Sequence, residues 1–135
     1  MRKLLLVSHG DFAKGLRNTL SVFGVDLSNV TAVSAYTESK DPQSALSSYW
    51  QSLADEDQLL IFTDILAGSV NQYVMPEMTR PNTYIFTGMN LPMLLQAVCL
   101  PEDAGIDAIR GLADAGKSGV VFMNEYHPAV GSDDE

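Results

Sequence analysis

Cysteine is almost absent: Cys99 is the one thiol in 135 residues. A single cysteine excludes an internal disulfide and supplies no metal-ligand set, so it reads as a small buried apolar side chain in a reducing compartment. Basic residues are scarce as well, eight Lys and Arg against seventeen Asp and Glu, for a formal net charge of -9. That balance argues against nucleic acid or an anionic membrane as partner. Long apolar runs are missing too. No stretch approaches the roughly 20 apolar residues needed to cross a bilayer, so no direct membrane insertion is expected. Met1-Arg2-Lys3 imitates the start of a signal peptide, yet the run behind it is cut short by Ser8-His9-Gly10-Asp11. The two histidines, His9 and His127, lack ligand-like spacing, and no transition-metal site is expected. With no internal repeat and no linker, the chain reads as one cytoplasmic domain over 1–130, followed by an acidic tail, 131–135, too polar to order.

What is present alternates. Leu4-Leu5-Leu6-Val7 is a short continuous apolar run, the pattern of a strand buried on both faces in a parallel sheet. Val30 to Tyr36, Gln58 to Thr63 and Thr83 to Thr87 read as further strands, and Gly119 to Met123 as a fifth. Between them the apolar residues recur at helical spacing. Phe12, Leu16, Leu20 and Phe23 form one stripe, stopped by Gly24, and Ala45, Leu46, Tyr49, Trp50 and Leu53 form another behind Pro42. Thr37 to Asp41 reads as a polar loop. Further helices are expected from about Val70 to Met78 with Ser69 as cap, from Asn90 through Cys99, and from about Ile106 to Ala115. The expected fold is α/β: a single doubly wound, mostly parallel sheet of about four strands flanked by helices, with a C-terminal edge strand.

In open sheets of this kind, reacting groups gather at the carboxyl ends of the strands. The first strand delivers His9 there, followed by Gly10, and the third delivers Asp64. If those strands are neighbours, the carboxylate can hold one imidazole nitrogen and leave the lone pair of the other exposed as a nucleophile. Ser69 and the amides around Gly68, at the start of the next helix, would suit phosphoryl oxygens. The set points to a phosphohistidine and is expected to need neither metal nor cofactor. Each residue also has a plainer reading: a surface histidine in a turn for His9, a turn or cap residue for Asp64, a helix cap for Ser69.

Two competing motifs fail on context. Gly111-Leu112-Ala113-Asp114-Ala115-Gly116-Lys117-Ser118 satisfies a phosphate-loop pattern literally, but it closes a helical stretch instead of leaving a strand to open one. A receiver domain would need an acidic cluster after the first strand and a lysine after the fifth; here stand Ser8-His9-Gly10 and Asn124-Glu125. His127 lies beyond the last apolar run and reads as a surface residue.

Three segments in this order, Ser8-His9-Gly10-Asp11-Phe12-Ala13-Lys14-Gly15-Leu16, Asp64-Ile65-Leu66-Ala67-Gly68-Ser69 and Gly88-Met89-Asn90-Leu91-Pro92-Met93-Leu94, give the chain a family likeness. It resembles the enzyme IIA domain of the mannose class of the bacterial sugar phosphotransferase system over nearly its whole length. The resemblance implies that His9 accepts a phosphoryl group from the histidine-containing phosphocarrier protein and passes it to a separate IIB subunit, making the chain a phosphotransferase component. It implies that Asp64 orients His9 and that Ser69 and the loop amides at Gly68, with Gly10, hold the phosphoryl group. It also implies a homodimer that exchanges a C-terminal strand, here Gly119 to Met123, antiparallel at the sheet edge. Many members carry two glycines, Ser or Thr, then Pro after the aspartate; Ala67 and Val70 depart from that pattern. Two other roles stay open at this point: a relay to a dihydroxyacetone kinase or regulatory partner, and a noncatalytic binding module. The sugar is not encoded in these residues. Apolar residues such as Phe12 or Met89 are expected at the rim of a partner surface around His9.

Overall fold

The computed structural model of the chain describes residues 1–37 and 42–128. Strand β1 (Arg2–His9) is followed by helix α1 (Phe12–Val22), strand β2 (Val30–Ala35), helix α2 (Gln43–Gln51) and strand β3 (Gln58–Thr63). Helix α3 (Ser69–Val74), strand β4 (Thr83–Thr87), helix α4 (Leu91–Val98) and helix α5 (Ile106–Ser118) complete the main elements. The strands form one four-stranded sheet in the order β2-β1-β3-β4, and every pairing is parallel.

The continuous apolar pattern of β1 and β3 explains this arrangement. Successive side chains of a strand face opposite sides of the sheet, so an unbroken run supplies two cores. Leu4, Leu6, Leu60 and Phe62 join Leu20, Leu94, Ile109 and Leu112 in one core. Leu5, Val7, Leu59 and Ile61 join Leu46, Val70 and Val74 in the other. Leu4 through Val7 are all but fully buried, each worth about 1.5–3 kcal/mol in apolar transfer. The two central strands are thereby fixed side by side, in a register that pairs Val7 with Thr63.

Several expected boundaries and faces shift. In α1, Leu20 and Ala13 are buried and Leu16 packs against the core, whereas Phe12 and Phe23, at the two ends, are exposed. In α2, Leu46 carries the buried face and Ala45 is exposed. The helix expected from about Val70 to Met78 is six α-helical residues followed by a 3₁₀ turn over Met75–Thr79, where Pro76 brings no N–H to an α-helical ladder. Helix α5 continues to Ser118, so the whole of the phosphate-loop look-alike lies on it or in its last turns. Gly116, and Gly119 just after the helix, serve close packing: a Cβ on Gly116 would lie 2.6 Å from Met93 Cε, and one on Gly119 would lie 2.5 Å from Pro92 Cγ.

The run from Gly119 to Met123 is not a strand of this chain. It leaves α5 without a ladder partner, its side chains are exposed, and a 3₁₀ turn follows at Met123–Glu125. A strand exists only through its pairing, and among the described residues the sheet has four. Most of the polar loop expected over Thr37 to Asp41, and the acidic tail 131–135, lie outside the described residues. No helix among them is long and apolar enough to cross a membrane.

Candidate functional site

At the carboxyl edge of the sheet, β1 ends on His9 and β3 is followed at once by Asp64. Because β1 and β3 are hydrogen-bonded neighbours, the two side chains meet. Asp64 Oδ2 accepts from the His9 backbone N–H at 2.8 Å and pairs with His9 Nδ1 at 2.9 Å, and Asp64 Oδ1 accepts from the Ile65 N–H at 3.0 Å. The His9 side chain is 41% exposed and that of Asp64 14%. Burial by itself raises the Asp64 carboxyl, but the His9 amide, the His9 ring and the carboxyl's own backbone together outweigh it and hold the group below the ordinary carboxylate value. An ionised carboxylate can only accept, so Nδ1 carries a proton, and in the neutral ring the lone pair is on the outward-facing Nε2.

Ser69 Oγ lies 3.4 Å from that Nε2. The plain capping role for Ser69 is absent: it is the first helical residue, Gly68 occupies the cap position, and no side chain caps α3. The serine hydroxyl instead bonds Tyr36 Oη at 2.9 Å, and the Tyr36 ring leans over the imidazole with centroids 5.5 Å apart at 31°.

The amides of both glycines are engaged within the protein. The Gly10 N–H donates to the Ala35 carbonyl at 2.8 Å, and the Gly68 N–H to the Ile65 carbonyl at 3.3 Å. Gly10 is needed for its backbone, which turns left-handed at φ 59°. Gly68 is needed for space: a Cβ there would lie 2.7 Å from His9 Cε1 and 2.7 Å from Ile65 Cγ2.

Two supporting groups escaped the sequence reading. Ser8 Oγ, fully buried, accepts the Ala13 N–H at 2.7 Å and so fastens the first turn of α1 behind His9. Asn71 is buried beneath the Asp64 loop; its Nδ2 donates to the Leu66 carbonyl at 2.8 Å, and its Oδ1 accepts from Thr63 Oγ1 at 2.5 Å. Thr63 Oγ1 also meets Thr87 Oγ1 at 2.9 Å, so β3, β4 and α3 hold the loop jointly. Of the departures noted above, Val70 is fully buried in the second core and Ala67 is exposed. Around His9, Phe12, Tyr36, Ile65 and Leu66 are exposed. Met89, expected on that rim, is buried in the first core instead, because its N–H bonds the Thr63 carbonyl and draws the residue inward. His127 is exposed, in the segment after the last 3₁₀ turn.

The family model described as PTS system fructose IIA component matches residues 3–112. Among solved structures, the chain is similar to a candidate phosphoenolpyruvate-dependent sugar phosphotransferase system permease from Klebsiella pneumoniae, at 27% identity over 92% of both chains with a TM-score of 0.84. The mannose/sorbose specific IIA subunit from Enterococcus faecalis shares the fold at 23% identity and a TM-score of 0.75, over 95% of this chain and 98% of that one. The phosphotransferase system component EIIA from Streptococcus agalactiae does so at 22% identity and 0.76, over 92% and 98%. No curated protein sequence matches.

Proposed function

This chain belongs to the PTS system fructose IIA component family and shares its fold with a mannose/sorbose specific IIA subunit, and from that premise we propose that His9 is its phosphoryl acceptor. The observation that carries the reading is the Asp64–His9 pair, with Asp64 Oδ2 on Nδ1 and Nε2 turned to the exposed sheet edge beside Ser69 Oγ. The Nε2 lone pair attacks phosphorus on the phosphorylated histidine of the phosphocarrier protein. As the new N–P bond forms, the donor's N–P bond breaks and its electron pair returns to the donor imidazole. His9 keeps its Nδ1 proton throughout, and Asp64 stabilises the positive charge that the ring gains. The reverse geometry serves onward transfer to a IIB subunit, a separate polypeptide in this reading, and the relay runs in the cytoplasm. Positioning and fixed dipoles suffice for such a step.

Ser69 is the phosphoryl-binding side chain in this reading. Gly68 contributes the room for the ring and Gly10 the turn behind it. The exposed Phe12, Ile65 and Leu66 suit the edge of a partner footprint. We place the homodimer contact elsewhere, between the unpaired Gly119–Met123 run of one copy and the open edge of β4 in the other.

Intact mass tests the acceptor. After incubation with phosphoenolpyruvate, the general phosphotransferase enzyme and the phosphocarrier protein, the wild type should gain one acid-labile phosphoryl group and folded His9→Ala none. A folded wild type that stays unmodified would remove the carrier function and return the module to a binding role.

A further inference from the structure

Tyr36 sits one residue beyond the end of β2, outside both hydrophobic cores, and is 40% exposed. Its backbone is left-handed at φ 60°, a conformation that side chains other than Asn and Asp seldom adopt. Strain of this sort at a strand end invites a search for what the side chain does. Two contacts with described residues lead to the nucleophile: the ring leans on His9, and the hydroxyl bonds Ser69 Oγ.

The polarity of this chain of contacts follows from its far end. Asp64 Oδ2 takes the proton side of Nδ1, which leaves Nε2 an acceptor. Ser69, 3.4 Å away, has one proton and can aim it at Nε2 only if its bond to Tyr36 is accepted, not donated. Were Ser69 to donate to Tyr36, a serine lone pair would face the Nε2 lone pair, and after transfer it would face an anionic phosphoryl oxygen. Both are repulsive.

We propose that Tyr36 is a positioning residue for phosphoryl transfer: its hydroxyl donates to Ser69 Oγ and thereby aims the Ser69 proton, first at Nε2 and then at an oxygen of the phosphoryl group carried there. The proposal rests on the phosphohistidine reading above. No atom of Tyr36 touches the phosphorus, so it acts through Ser69.

Tyr36→Phe keeps the ring and removes only the hydroxyl. Two readouts separate the possibilities, with matching thermal melts as the check on folding. In the unphosphorylated protein, imidazole ¹⁵N NMR should show the His9 Nε2 resonance moving toward that of a nitrogen without a hydrogen bond, while Nδ1 and His127 stay in place. In transfer from the phosphorylated carrier, kcat should fall about five- to tenfold with KM unchanged, the loss of one neutral hydrogen bond. In a Ser69→Ala background the same substitution should change neither readout further. An unmoved Nε2 resonance, an unchanged kcat, or effects of the two substitutions that multiply would each overturn the role of Tyr36. A moved Nε2 resonance in a protein whose wild type takes up no phosphoryl group would instead overturn the phosphohistidine reading, and the transfer role with it.

Discussion

Gly68 shows how little latitude the nucleophile has. A methyl group there meets His9 Cε1 and Ile65 Cγ2, both at 2.7 Å, closer than packed carbon atoms approach. Exposed Ile65 can swing aside, but the imidazole must give way as well, so Gly68→Ala should push the ring away from its bond to Asp64. A displacement of about 1 Å can cost on the order of 10²-fold in rate, while overpacking costs about 1–3 kcal/mol in stability. We expect phosphoryl transfer to fall by that order in a protein that still melts cooperatively, measured by the time course of phosphorylation beside a thermal melt. Wild-type transfer would mean that the loop moves and the ring does not. Sequence pattern pointed to His9 and Asp64 because each lies at or just beyond a strand end, which follows from the apolar runs, and to Ser69 because it opens the next helix. It did not reveal Gly68's steric role, since glycine in a polar loop signals only freedom of φ. Nor did it reveal Tyr36, whose use depends on β2 lying beside β1, or the inward turn of Met89.

At the scale of elements, the opposite end of the sheet is tied by one carboxylate. Asp57, in the turn before β3, is buried and accepts the Ala54 N–H at 2.9 Å, and it pairs with Lys3 Nζ and the Met1 amine, each at 3.3 Å. It therefore joins the starts of β1 and β3 to the turn that follows α2. The Ala54 amide is the main cause that lowers its carboxyl below the ordinary value; burial opposes this, and Lys3 and the Met1 amine add to it. A depressed folded pKa gives stability that is complete above the unfolded value of about 3.9 and is lost as pH falls through the folded one. Asp57→Asn should therefore unfold at lower denaturant than the wild type at neutral pH, with the gap closing below about pH 3.9 as the wild-type carboxyl also becomes neutral. Denaturant midpoints across that range measure it. A gap that stays constant into acid would assign the effect to hydrogen-bond geometry alone. The same scale explains which element ends were readable. Asn90 caps α4 through the Met93 N–H at 3.1 Å, a signal visible in the sequence. The stop of α3 at Val74 depends on Pro76 two residues further on, and periodicity alone carried that helix too far.

For the whole molecule, the unbroken apolar runs made the layered α/β architecture legible, because a strand apolar on both faces admits little else. The C-terminal run was not legible, for a related reason. Val120, Val121, Phe122 and Met123 have strand-like composition, yet composition does not say which edge they pair with, or whether that edge belongs to the same chain. In the single chain they are exposed, and the edge strand β4 borders an open apolar groove lined by Met78, Tyr84, Ile85, Phe86, Ile106 and Ile109. An exposed apolar run and an uncovered sheet edge on one molecule are complementary, and reciprocal exchange between two copies closes both under a two-fold axis. The full chain should therefore behave as a dimer in light scattering coupled to size exclusion, at concentrations where a chain ending at Ser118 is a folded monomer. The truncated chain should keep its far-UV spectrum, since the four-stranded sheet and its two cores lie entirely before residue 119. A full chain that stays monomeric at about 100 µM, a concentration at which even a micromolar dimer would be well populated, would exclude the exchange and leave the run as an uncovered patch. Because His9, Asp64 and Ser69 all come from elements that lie before residue 119, loss of the dimer should leave phosphorylation of His9 intact, and the truncated chain tests both points in one preparation.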